Sequence, residues 1–115
     1  MKAEDKKLVA AMLDALSDIK AEDPAVLDLR KLTTMTDYFL IAHGRNTRQV
    51  QAMAKAIEER LKEEFNTKPH HIEGSGQGQW ILMDYGDVIA HLFLDEKRTY
   101  YGLERIWMDA PRVTP

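Results

Sequence analysis

At 115 residues the chain has the length of one domain. A domain of that size buries roughly two-thirds of the surface its unfolded form exposes, so it can fold without covalent staples. There is no cysteine, which excludes disulfides, thiolate zinc sites and cysteine nucleophiles and suits a reducing compartment. Sixteen lysines and arginines face nineteen aspartates and glutamates, a formal net charge of −3. That balance argues against a dedicated nucleic-acid binder, which needs a basic surface, and favours a protein partner, a basic one in particular. The N-terminal segment is charged and lacks an apolar leader core, and no apolar run approaches the ~20 residues of a membrane span. The expectation is a soluble, unanchored cytoplasmic protein.

The chain carries no repeat, low-complexity tract or linker, and its hydrophobic pattern alternates between helix and strand periods in the manner of an α/β domain. Leu8, Met12, Leu16 and Ile19 mark the apolar stripe of a first helix from about Glu4 to Ala21, which Asp23-Pro24 should end. A strand follows from Ala25 to Arg30, then a turn over Thr33 to Asp37. Tyr38 to Ala42 is apolar without alternation, as in a central strand covered on both faces. Gly44 breaks it, and Asn46 is placed to cap a second helix with Gln49 at the capping-box position. That helix runs to about Phe65 and buries Val50, Met53, Ala54, Ile57 and Leu61. A short strand near His70 to Glu73 leads into the flexible loop Gly74 to Gly78. Gln79 to Met83 and Val88 to Leu94 then read as an antiparallel hairpin around Asp84-Tyr85-Gly86-Asp87. Asp95 caps a last helix in which Tyr100, Leu103 and Trp107 recur at helical spacing. Residues 1–108 thus form the domain, and 109–115 are expected to be a mobile tail.

Signals for chemistry are weak. His70 and His71 are neighbours on a strand and point to opposite faces, so they cannot share a metal there. His43 and His91 lie on different strands that can approach, but no ligand spacing supports a site, and structural or exposed roles are preferred. The glycine loop lacks the lysine and the following helix of a phosphate loop. Gly44 to Arg48 offers helix N-terminal amides and two guanidinium groups to an anion, although ordinary capping explains it as well. Asp84 and Asp87 are typical turn-formers, also well placed to meet a basic partner. Neither serine, Ser17 or Ser75, sits in a nucleophile motif. No catalytic residue, metal or cofactor is expected. Trp107 should be core. Trp80 shares a strand face with Leu82 and Asp84, and pattern alone leaves open whether it packs against a helix or stands exposed as a docking anchor.

The block from Trp80 to Phe93, W-I-L-M-D-Y-G-D-V-I-A-H-L-F, resembles the signature of the ribosomal silencing factor family, also called Iojap or RsfS. Thr36 to Ala42 with Gly44 and Arg48-Gln49-Val50 resembles the family's central strand-to-helix stretch, and Arg98 to Trp107 its C-terminal helix. The resemblance spans nearly the whole chain. It implies a single-domain α/β sandwich, nucleotidyltransferase-like, with a mixed sheet of about five strands and packed helices. It also implies binding to the large ribosomal subunit through large-subunit protein fourteen on the intersubunit face. Such binding blocks joining of the small subunit and represses translation when nutrients are limiting. The implied docking surface matches Trp80, Asp84 and Gly86 here, and we extend it to Leu82, Tyr85 and Tyr101. Little direct contact with nucleic acid is expected. Departures are slight: Ala90 replaces a larger aliphatic, and Gly102 sits inside the last helix, which it should weaken by about 1 kcal/mol relative to alanine.

Two rivals remain on sequence grounds. A nucleotidyltransferase needs a Gly-Ser helix start and a D-x-D pair to hold magnesium, whereas Gly44 is followed by Arg45 and no strand carries D-x-D. Pairing of two copies through the apolar C-terminal surface is compatible with docking if one patch serves both.

Overall fold

The computed structural model describes residues 1–114. In chain order the elements are α1 (Ala3–Asp18), β1 (Glu22–Asp28), β2 (Tyr38–Gly44), α2 (Thr47–Phe65), β3 (His71–Glu73), β4 (Trp80–Asp84), β5 (Val88–Leu94), α3 (Asp95–Tyr101) and α4 (Leu103–Ile106). The five strands make one mixed sheet in the order β1-β2-β5-β4-β3. β2 and β5 pair in parallel at its centre, and every other neighbouring pair is antiparallel. The α/β domain with a five-stranded mixed sheet and packed helices is therefore the one the family resemblance implies.

The centre is set by the two strands without polar alternation. β2 is buried from end to end and β5 from Val88 to Phe93, so each needs cover on both faces. On one face Tyr38, Leu40, Ala42, Ile81, Met83, Ala90 and Leu92 meet α1 through Val9, Met12 and Leu16, and α2 through Val50, Met53, Ile57 and Leu61. On the other face Phe39, Ile41, Ile89 and Phe93 join Leu27 and Leu29 beneath Leu103, Trp107 and Ala110. Asn46 caps α2 by accepting the Gln49 amide at 2.8 Å, while the Gln49 side chain reaches back to the Arg45 N–H at 2.8 Å. The Arg45 guanidinium pairs with Glu22 at 2.8 Å. The amide and one of the two guanidinium groups that an anion would need here are thus already engaged.

Three boundaries depart from the sequence expectation. The first helix ends at Asp18, not Ala21. Lys20 adopts a left-handed φ of 60°, and β1 begins at Glu22. Pro24 therefore lies inside the strand: Glu22 pairs with His43 and Ala25 with Ile41, and Asp23 (φ 46°) with Pro24 forms the bulge between them. A bulge on an edge strand is one of the few sheet positions that tolerates proline. The last helix is two helices, because Gly102 at φ 60° caps α3 rather than weakening a continuous helix. A Cβ at Gly102 would stand 2.5 Å from the Arg105 guanidinium. The loop after β3 is held too, since Gln51 donates to the Ser75 and Gly76 carbonyls at 3.0 and 3.2 Å.

The third departure is the tail. The Asp28 amide donates to the Pro111 carbonyl at 2.8 Å and the Val113 amide to the Val26 carbonyl at 2.9 Å, with Leu27 bridging Arg112 in antiparallel sense. Ala110 is buried, and Arg112 pairs with Glu104 at 2.7 Å. The segment expected to be mobile is instead laid along the outer edge of β1, where it satisfies backbone groups that an edge strand leaves open; Pro115 lies outside the described residues. Truncation after Met108 should accordingly lower the melting temperature by several degrees, measured by circular dichroism, whereas a free tail would leave it unchanged.

Candidate functional site

The β4–β5 hairpin builds the site from its register. Trp80 pairs with Phe93, Leu82 with His91 and Asp84 with Ile89, and β3 sets His71 beside Asp84 and Glu73 beside Leu82. Partners in register share a face, so these side chains all lie opposite α1 and α2. α3, α4 and the tail cover this face only over β1, β2 and part of β5. Over β4 and β3 it is open: Trp80 and Leu82 are half-buried, and His71 and Glu73 are exposed.

Trp80 is held on several sides. Its ring lies 5.1 Å from that of Phe93 and 4.6 Å from that of Tyr101, between centroids. Tyr101 ends α3 and is 41% exposed. The Trp80 Nε1–H donates to His91 Nδ1 at 3.1 Å. This bond fixes the His91 tautomer, because an Nδ1 that accepts must carry no proton. His91 is 4% exposed, and burial holds its pKa down from the ordinary 6.5 to about 4.

The turn beyond β4 is built by its own residues. Asp84 Oδ1 accepts the Gly86 amide at 2.8 Å, Gly86 takes φ 89°, and the Thr36 hydroxyl donates to the Gly86 carbonyl at 3.0 Å. Asp87 is exposed at the turn's end, and its carboxylate converges with those of Asp37 and the 5%-exposed Asp5. Burial, then the Asp87 carboxylate, raises the pKa of Asp5. Tyr85 is a correction to the sequence-based surface. It is 7% exposed and packs in the helix-side core, and burial pushes its phenol well above its ordinary pKa. It alternates with Asp84 and so points away from the open face, supporting the turn from beneath. Trp80, Leu82 and Asp84 share the other face, with Tyr101 against Trp80, while Gly86 lies in the turn beyond Asp84.

The histidines separate rather than cluster. His71 pairs with Glu73 at 3.0 Å. His43, at the end of β2, faces a cleft of about 560 Å³ lined in part by Asp95, Arg98 and Glu104. His43, Glu22 and Asp95 are close enough to share an ion. However, Arg98 donates to His43 Nδ1 at 2.9 Å, leaving the proton on Nε2, the nitrogen that faces Glu22 at 3.1 Å. A protonated Nε2 has no lone pair for a metal. Arg98 also forms a two-pronged pair with Glu104 at 2.8 and 3.1 Å, which ties α3 to α4 across Gly102.

From sequence, His91 counted only as structural or exposed. The signal that finds it is the hairpin register, which sets it opposite Leu82 and diagonal to Trp80 on one face. Trp107, expected in the core, is half-buried against Phe39.

The fold itself is shared with solved structures. A crystal structure of a Chromobacterium violaceum protein matches with a TM-score of 0.85 at 36% identity, covering 93% of this chain and 87% of that one. A family model described as ribosomal silencing factor during starvation matches residues 2–115. The ribosomal silencing factor RsfS of Bacillus subtilis is 41% identical over 105 residues, 91% of this chain and 86% of that protein. A mouse protein named mitochondrial assembly of ribosomal large subunit protein 1 is 32% identical over 98 residues, 84% of this chain and 43% of that protein. The fold is thus that of a class of small α/β proteins named as ribosomal silencing factors. The chain is a member of the ribosomal silencing factor family.

The low pKa of His91 gives a pH signature. The unfolded chain takes up a proton near 6.5 that the folded state refuses until about 4, so the folded state loses stability as pH falls through that window and loses none above it. The loss attributable to His91 is on the order of 3 kcal/mol. Urea unfolding at pH 7 and pH 4.5 should show a markedly smaller loss for His91→Asn than for the unmodified protein.

Proposed function

We propose that this protein represses translation by docking on the large ribosomal subunit through its open sheet face. The contact is large-subunit protein fourteen on the intersubunit face, and the bound protein blocks joining of the small subunit under nutrient limitation. The observation that carries this is the half-buried Trp80, set with Leu82 on the part of the sheet that α4 and the tail leave open and flanked there by Tyr101 at the end of α3. Aromatic anchors of this kind dominate interface energies. Acidic Glu73 and Asp84 on the same face, and a net charge of −3, suit a basic ribosomal protein better than RNA. The mouse relative's name also speaks of the large subunit. Among the described residues no helix is long and apolar enough to cross a membrane, in keeping with work at ribosomes in the cytoplasm. The role is regulatory rather than enzymatic, as the relatives' names describe.

On sucrose gradients the protein should co-sediment with free large subunits, and not with small subunits or joined ribosomes. Equal binding to both separated subunits would sink the mechanism. Trp80→Ala should remove on the order of 2 kcal/mol of binding, roughly a thirtyfold loss. Because Trp80 is half-buried, it should also cost some folding stability, less than the ~3–5 kcal/mol of a fully buried tryptophan.

The charge of Asp84 is best tested by Asp84→Asn, which keeps an acceptor for the Gly86 amide. It should slow association with large subunits at low salt, and the difference should fade as salt rises. An unchanged association rate at low salt would remove Asp84 from the contact.

A further inference from the structure

We infer that His91 is the positioning residue of the docking surface: its Nδ1 lone pair, presented from inside the sheet, fixes the angle at which the Trp80 indole stands on the open face. The inference rests on the docking function proposed above.

An indole at a half-open position has two rotatable bonds and several staggered orientations. Packing on Phe93 and Tyr101 narrows them, but aromatic contacts at 5.1 and 4.6 Å with interplanar angles of 31° and 44° are compatible with sliding. A hydrogen bond is directional where packing is not. The Trp80 Nε1–H bond to His91 at 3.1 Å therefore selects one orientation. His91 is itself held from three sides. Its backbone is bonded within β5 between β2 and β4, with Ile41 and Leu82 as register partners. The Phe39 ring stands 4.4 Å away at 72°, and the Phe93 ring runs nearly parallel to it at 6.3 Å. His91 Nε2 is buried without a partner, a cost that a leucine or phenylalanine at this position would not incur. An imidazole persisting there is accounted for by what its other nitrogen does. Binding that needs a fixed aromatic loses affinity when the anchor must be ordered at the moment of contact.

The test uses the full chain and purified large subunits. His91→Phe keeps a ring and removes the acceptor. His91→Asn removes the ring and returns an acceptor near the Nδ1 position. In ¹⁵N-tryptophan-labelled protein, Trp80 is one of two indole N–H signals, assigned with Trp107→Phe. His91→Phe should shift this signal, speed its hydrogen exchange and weaken binding roughly five- to tenfold. His91→Asn should restore much of both. Should His91→Phe fail to fold, replacing the Trp80 indole by benzothiophene through nonsense suppression deletes the donor at nearly constant shape. The same five- to tenfold loss is then expected. Binding at full strength with the indole signal displaced, or full binding by the benzothiophene protein, would overturn the positioning role. So would His91→Asn restoring the signal without the affinity. Full binding by Trp80→Ala would instead overturn the docking surface, and the role of His91 with it.

Discussion

Two strands in this chain must be covered on both sides, and only one side receives long helices. β2 and β5 pair in parallel through seven residue pairs, from Tyr38 with Val88 to Gly44 with Leu94, and carry almost no polar side chains. α1 and α2 both lie on one face of that pair. The opposite face is closed with what remains of the chain: two short helices broken at Gly102, held by the Arg98–Glu104 pair, and the segment after them. That material reaches across β1, β2 and part of β5 but not over β4 and β3. The area around Trp80 is thus the part of that face which these elements leave partly uncovered.

Much of this was legible in the sequence. The apolar runs of β2 and β5, the Asn46 cap and the hairpin turn each carry a local signal that tertiary context did not override. What misled were residues whose meaning depends on a distant partner. Pro24 has the look of a helix stop, but it sits in a bulge whose register is set by β2. Gly102 is at helical spacing, yet the separate packing of Leu103 and Trp107 favours a left-handed cap there. The tail is polar and proline-bearing, and only the unpaired edge of β1 gives it a place. At the site, the alternation that groups Trp80, Leu82 and Asp84 already assigns Tyr85 to the other face, so its inclusion overlooked a period the same residues display. His91 was harder to see, since its role appears only once β4 and β5 are aligned.

The turn and the tryptophan differ in how they are stiffened. The turn is held at several points: Asp84 accepts the Gly86 amide, the distant Thr36 hydroxyl donates to the Gly86 carbonyl, and buried Tyr85 anchors the underside. The tryptophan borrows its stiffness from a neighbouring strand. On the proposed docking function, a turn and an indole so held present charge and shape at a fixed spacing, which is what discrimination among partner surfaces requires.

The strip of chain along β1 also bears on how the molecule behaves at high concentration. An open strand edge is a template on which a second sheet can grow, and here that template is occupied by residues 111–113 of the same chain. The strip adds only a single bridge, between Leu27 and Arg112, and so short an edge is itself a poor template. At the other end of the sheet, β3 is three residues long and ends on the charged Glu73. Both margins are thereby discouraged from self-association, leaving the broad face rather than the rim as the place where another molecule can settle.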